Sequence, residues 1–289
     1  MKRKSRRPDQ VAETVRQIIA DVTPQGEIRV VDEMKAAPRL GAGVARSRQL
    51  GEASMRGALD ALERMATLAR QLGAERIEAV ATSAVRDAAN GTDFLALVRA
   101  RAGLDVRVID GEEEARLGFR SALAHFDLGV GRAVVMDIGG GSLELALSAE
   151  GLLEHLRSFP FGAVRLTEQF LAGGIDAASV RALRQEVRAG LRRRMPSRDW
   201  HGAQLIGSGG TFTNLAGVHL ARQGVVSARS VHGTRIARQE LEHILLWLQE
   251  LSPSERLAVP GLNPGRADII VAGLAVAAEV PARPEAPGP

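Results

Sequence analysis

Two apolar-alternating runs open the chain, TVRQIIADV (14–22) and IRVVDEM (28–34). The segment TPQGE joins them, and the pattern predicts a β-hairpin. From 48 to 74 apolar residues recur at helical spacing, which predicts a long helix. IEAVATSAVRDAAN (77–90) begins as a buried strand and passes through small polar residues into a helix. A second helix is expected over 94–103, a strand over 104–110 and a helix over GEEEARLGFRSALAHF (111–126). The acids of that last helix stand in its first turn, where the helix dipole favours them. Strand and helix alternate, which argues for an α/β sheet.

A new strand starts at RAVVMDI (132–138), and LELALSAEGLLEHLRSF (143–159) continues it as a hairpin turning at Gly151. Helices are expected over 162–171, 177–195 and 238–251. AQLIGSGGTFTNLAG (203–217), a buried strand with a glycine turn, lies between the last two, and 252–280 reads as Pro/Gly turns followed by an apolar helix. The interruption at HFDLGVG (125–131) divides the chain into domains at 1–127 and 128–280, and the proline-rich 281–289 reads as a disordered tail. A faint repeat links the halves: Asp137 stands five positions before Ser142, as Asp9 does before Thr14.

With 289 residues, two domains are expected. The chain is 45% hydrophobic and 25% charged, ordinary values for a soluble globular protein. No run of apolar residues is long enough to span a membrane, and MKRKSRRPDQ lacks the apolar stretch of a secretory signal. The absence of cysteine excludes disulfides, thiolate metal sites and thiol nucleophiles. A cytoplasmic protein is expected. The net charge of +4, carried mostly by arginine, suits an anionic partner. Aromatics at 3% weigh against specific nucleic-acid recognition. The basic stretch LRRRMPSRDW (191–200) reads as a solvated helix end.

The chemistry concentrates in two loops. VVMDIGGGSLELAL (134–147) is either a hairpin turn or a backbone cradle for phosphate, because glycine serves φ > 0 turns as well as anion-binding loops. LIGSGGTFTNLAG (205–217) repeats the arrangement at the end of a strand and the start of a helix, where free N–H groups collect anions. Gly139, Gly140, Gly141 and Ser142 in the first loop, with Gly209, Gly210 and Thr211 in the second, are the candidate phosphate ligands. The hydroxyls of Ser142 and Thr211 can donate to a phosphate oxygen. Asp137 suits Mg²⁺, which takes one or two carboxylates plus water and phosphate, or else it caps the turn. Glu144 is placed to share that ion, or faces solvent from its strand. One of Glu112, Glu113 and Glu114 can orient water, but spacing does not say which. Arg86 is a candidate phosphate clamp or a surface ion pair.

ATSAVRDAANG, IDGEEEARLGF, VVMDIGGGSLEL, FGAVRLTE, IGSGGTFTNLA and RLAVPGLNPGRADIIVAG, in this order, resemble the exopolyphosphatase / guanosine pentaphosphate phosphohydrolase family over about residues 14–278. The resemblance implies two duplicated actin-like (ribonuclease H-like) ATPase domains with a cleft between them. It implies Mg²⁺-dependent hydrolysis of terminal phosphoanhydrides in polyphosphate or in guanosine pentaphosphate, a nucleotide of the stringent response. By position, Glu114 matches the glutamate that activates water, and Asp137 and Glu144 match acids serving the cation. The two glycine loops match phosphate loops, and Arg86 matches an arginine that approaches the phosphate chain. Relatives are commonly homodimers.

The chain departs from the family at PDQVAET (8–14), where Val11 and Glu13 stand in place of a glycine and an asparagine. The short form of the family, without the long form's helical C-terminal region, is expected. The alternative expectation is therefore a member that binds polyphosphate or guanosine tetra- and pentaphosphate without efficient turnover. A sugar-kinase-like phosphotransferase is disfavoured by the EEEA block.

Overall fold

A computed structural model of the chain describes residues 14–23, 25–195, 202–225 and 231–280. Asp9 and the rest of 1–13, the basic stretch beyond Met195 and the tail 281–289 lie outside the described residues. The chain forms two compact units that divide between Asp110 and Gly111.

In the first unit, β1 (Val15–Val22) and β2 (Ile28–Ala36) form the antiparallel hairpin expected from their alternation. Its turn is closed by the Thr23 N–H donating to the Glu27 carbonyl, with Gly26 at φ 87°. The short helix α1 (Val44–Ser47) leads into the long α2 (Glu52–Gln71), and Gln17 Nε2 ties β1 to α2 through the Met65 carbonyl at 2.8 Å. Then come β3 (Ala79–Ala81), α3 (Ser83–Asp87), α4 (Gly91–Ala102) and β4 (Val106–Val108), with β3 and β4 parallel. Ala58, Leu59 and Ala66 of α2 pack with Phe94, Val98 and Ala102 of α4 in this unit's core.

The second unit begins with α5 (Gly111–Leu123) and a four-stranded sheet in the order β7-β6-β5-β8. Strands β5 (Arg132–Ile138), β6 (Leu143–Ala149) and β7 (Leu152–Phe159) run antiparallel in sequence. Strand β8 (Gln204–Ser208) lies parallel to β5. Between β7 and β8 come α6 (Ala163–Leu166), continued by a π-helical turn over Thr167–Leu171, and α7 (Ala177–Arg194). After β8 follow α8 (Gly210–Arg222), α9 (Arg238–Glu250), α10 (Pro253–Leu257), a 3₁₀ turn at Pro264–Arg266 and α11 (Ile270–Glu279).

Side chains alternate across a strand, so each face of this sheet has its own rows. One face presents Val134, Met136, Ile138, Leu143, Leu145 and Leu147, all buried. The other presents Ala133, Val135, Ala146, Leu156 and Ile206, which α5 covers with Ala115, Phe119 and Ala122. This packing sets the division after Asp110. The break in periodicity at 125–131 is the loop between α5 and the sheet that α5 covers, not a border between the units.

Helix α11 is apolar on every side and buried throughout. Its one acid, Glu279, accepts from Arg184 Nε and from Arg188 Nε at 2.7 Å for the latter, which ties α11 to α7. Among the described residues, no helix is long and apolar enough to cross a membrane.

Candidate active site

The apolar face under α5 ends in a polar row. Strand register aligns Ser158 of β7 with Glu144 of β6, Glu144 with Asp137 of β5, and Asp137 with Ser208 of β8. These four residues stand side by side on one face at the C-terminal end of β5. The next row along that face is Leu156, Ala146, Val135 and Ile206.

Helix α5 brings a third carboxyl to this row. A side chain at Gly111 would overlap Ser158, so the helix starts against β7 at a point only glycine permits. Glu114 follows one turn later. Glu144 is 3% exposed, which removes the solvent-facing alternative. Burial first, then the neighbouring Glu114 carboxylate, pushes the Glu144 carboxyl from 4.5 up to about 8. The Ser142 and Ser158 hydroxyls pull it down, and Asp137 adds a smaller push up. The Ser158 hydroxyl donates to Glu144 Oε1 at 2.9 Å. Oε2 of Glu114, a residue otherwise engaged, is buried without a hydrogen bond.

The glycine loops flank this carboxyl group. Gly139–Ser142 is the tight turn between β5 and β6, closed by the Gly139 N–H donating to the Ser142 carbonyl at 3.0 Å. None of Gly139, Gly140 and Gly141 has positive φ. The close approach at this turn is made by Gly162 at the start of α6, where a side chain would overlap the backbone of Gly140 and Gly141. Ser142 is buried, and its hydroxyl is engaged with Glu144.

The second loop uses glycine for its conformation: Gly209 has φ 84° and precedes the first turn of α8. A side chain there would also strike Asp137 Oδ1, so the two loops meet at that carboxylate. Thr211 is 1% exposed, with its side chain packed on Gly273 of α11. What this position presents to an anion is backbone N–H at a helix start rather than a hydroxyl.

Arg86 belongs to the other compact unit, where its Nη1 donates to the Ile109 carbonyl at 2.8 Å and its Nε stands 3.8 Å from Asp87 Oδ1.

Sequence reading passed over four residues at this site: Ser158, Arg165, Arg194 and Arg266. Arg165 Nε donates to the Gly141 carbonyl at 2.8 Å. Arg194 Nη1 donates to the Ser158 carbonyl at 3.0 Å, and its guanidinium lies 4.9 Å from the Phe159 ring centre. The Arg266 guanidinium covers the Gly210 backbone. Asn214 holds it there, because Asn214 Oδ1 accepts from the Asn263 N–H at 2.6 Å and fixes the turn that carries Arg266. Two of these arginines lie inside blocks that carried the family resemblance, FGAVRLTE and VPGLNPGRADIIVAG, and those blocks were the available signal.

Three crowded carboxyls, Glu144 buried and Glu114 and Asp137 half-buried, lie beside two glycine-rich loops. The family model for the Ppx/GppA phosphatase family matches residues 18–282. The chain belongs to that family. Ppx/GppA similarity extends to individual proteins. An uncharacterised protein of Streptomyces coelicolor is 34% identical over 271 residues, covering 91% of this chain and 79% of that protein. Exopolyphosphatase 2 of Mycobacterium tuberculosis is 31% identical over 282 residues, covering 92% and 86% respectively. The crystal structure of an exopolyphosphatase from Cytophaga hutchinsonii matches with a TM-score of 0.82 at 25% identity, over 94% of this chain and 88% of that one. That of the Aquifex aeolicus Ppx/GppA protein matches with a TM-score of 0.75 at 26% identity, over 94% and 87%. The Ppx/GppA fold is the actin-like ATPase fold, and the chain is a phosphoanhydride hydrolase of this family.

Among the described residues, no group of three His, Asp or Glu is set to ligate a metal by itself. The residues nonetheless fit a divalent cation of the Mg²⁺ kind, which needs only one or two carboxylates beside water and phosphate. Burial first, and then the crowding by Glu114 and Asp137, holds Glu144 protonated, and a cation bound here would relieve that crowding.

Proposed function

We propose that this chain removes the terminal phosphate of inorganic polyphosphate. The observation that carries the reading is the crowding of Glu114, Asp137 and Glu144 at the end of β5, directly beside the Gly139–Ser142 turn and the start of α8. In this reading the backbone amides of the two loops bind the terminal phosphoryl group. Glu114 orients the attacking water and takes its proton, a role that suits a carboxylate at a buried edge. Asp137 and Glu144 hold a Mg²⁺ ion, which when bound neutralises charge developing on the phosphoryl oxygens. Arg86 clamps the phosphate chain.

Polyphosphate is preferred over guanosine pentaphosphate because relatives of 30–31% identity are named exopolyphosphatases. A cytoplasmic location and a homodimer accompany the reading. A second reading, binding without efficient turnover, is favoured by Val11 and Glu13 in the stretch PDQVAET.

The test measures kcat/KM for polyphosphate and for guanosine pentaphosphate with Mg²⁺, following the length of the residual polyphosphate. Stepwise shortening from the chain end with orthophosphate as product is expected. Internal cleavage, or a strong preference for the nucleotide, contradicts the substrate assignment. Tight binding with no product supports the second reading.

A further inference from the structure

We propose that Arg165 is a positioning residue whose side chain fixes the last of three consecutive backbone amides that the glycine turn directs toward the phosphate. This rests on the reading of that turn as the phosphate cradle. The argument comes from peptide geometry. Every peptide bond among the described residues is trans, so the N–H of each peptide unit points opposite to its C=O.

Three carbonyls in a row are held from one side. The Gly139 carbonyl accepts from the Ala163 N–H at 2.9 Å. The Gly140 carbonyl accepts from the N–H groups of Val164 and Arg165 at 3.0 and 3.1 Å. The Gly141 carbonyl accepts from Arg165 Nε at 2.8 Å. All four donors belong to Ala163, Val164 and Arg165 of α6, so all three carbonyls face α6. The N–H groups of Gly140, Gly141 and Ser142 therefore face away from it, in series, which is the arrangement of an anion-binding nest.

The third peptide is the weak point. Backbone amides of α6 hold the first two, and among the described residues the Arg165 side chain holds the third. Gly141 has no Cβ to oppose rotation, so without that brace the 141–142 peptide samples other orientations freely. Apparent affinity falls by the fraction of time the cradle is formed. Gly162 belongs to the same device, since a side chain there would overlap Gly140 and Gly141 and push α6 off the turn.

The experiment titrates inorganic phosphate into the wild-type chain and into Arg165→Met and Arg165→Lys by calorimetry, with melting temperatures measured in parallel. Arg165→Met is expected to weaken phosphate binding roughly tenfold, the loss that follows if the cradle is formed about a tenth of the time. Arg165→Lys keeps one donor for the Gly141 carbonyl and is expected to retain affinity within about threefold. A folded Arg165→Met that binds phosphate within twofold of the wild type overturns the proposal, as does a Lys variant no better than Met.

If Arg165→Met fails to fold, the wild type still decides. Phosphate is expected to shift the ¹⁵N–¹H resonances of Gly140, Gly141 and Ser142, and unmoved resonances overturn the proposal. Binding of phosphate requires no turnover, so a chain that binds it through these amides yet hydrolyses nothing contradicts the functional reading and leaves this one standing.

Discussion

Glu144→Gln should stabilise the fold, and by an amount that depends on pH in a defined way. The native state holds the Glu144 proton until about 8, whereas the unfolded chain releases it at an ordinary 4.5. Between those values the native state binds more protons than the unfolded state, so this group's contribution falls as pH rises. Below 4.5 it costs nothing. At about 1.4 kcal/mol per pH unit, the cost reaches roughly 5 kcal/mol once pH passes 8, as an upper limit. Glutamine keeps the shape and can still accept from Ser158, but it carries no charge to bury.

The assay is urea unfolding of both proteins in chelator from pH 5 to 8. Titrating groups away from this cluster contribute equally to both curves, so their difference reports Glu144 together with its interaction with Glu114 and Asp137. The advantage of Glu144→Gln should grow by several kcal/mol across the range, and Mg²⁺ should shrink that growth by favouring the ionised form. A difference that stays flat within about 0.5 kcal/mol, no more than a single exposed ion pair contributes, refutes the burial and crowding argument.

Ser158→Ala removes a hydrogen bond that favours the Glu144 carboxylate. The stability loss with pH should then extend to higher pH than in the wild type, read from the same unfolding series. Gly162→Ala forces a methyl group into the Gly140–Gly141 backbone. It should cost about 1–3 kcal/mol of stability and most of the phosphate release, measured by melting and by orthophosphate assay. Chelation with EDTA should abolish phosphate release and Mg²⁺ should restore it; full activity in chelator would remove the cation from the account. Val11→Gly with Glu13→Asn should raise the turnover rate, and an unchanged rate would clear those positions of blame.

The sequence carried the order of elements well where one face of an element decides its pattern. The β1–β2 hairpin, α2 and the β5–β6–β7 meander follow from alternation and helical spacing alone. The DIGGGS turn was legible as a turn, but the reason for its glycines was not. The local pattern points to positive φ, which none of the three adopts; what the structure shows is a glycine requirement at Gly162, which rests on the turn from twenty-two residues beyond Gly140, a contact no local pattern encodes. Thr211 shows the same limit: a hydroxyl beside two glycines looks like a ligand until Gly273 of α11 is seen packed against it.

Glu144 was ambiguous because alternation does not say which face of β6 is covered when both are. The row Ser158–Glu144–Asp137–Ser208 depends on the register of three strand pairs and is invisible before the strands are paired. Likewise α5 reads as the last element before a break, while its apolar stripe is committed to the sheet that follows.

The most direct test of the central claim is orthophosphate release from polyphosphate, with Mg²⁺, by the wild type and by Glu114→Gln. The account predicts steady release by the wild type and a loss of roughly 10²–10⁴-fold in the variant, with inorganic phosphate still bound, as befits removal of a general base. A wild type that releases nothing, or a Glu114→Gln variant within tenfold of it, would contradict the assignment of Glu114 and the hydrolytic site built around it.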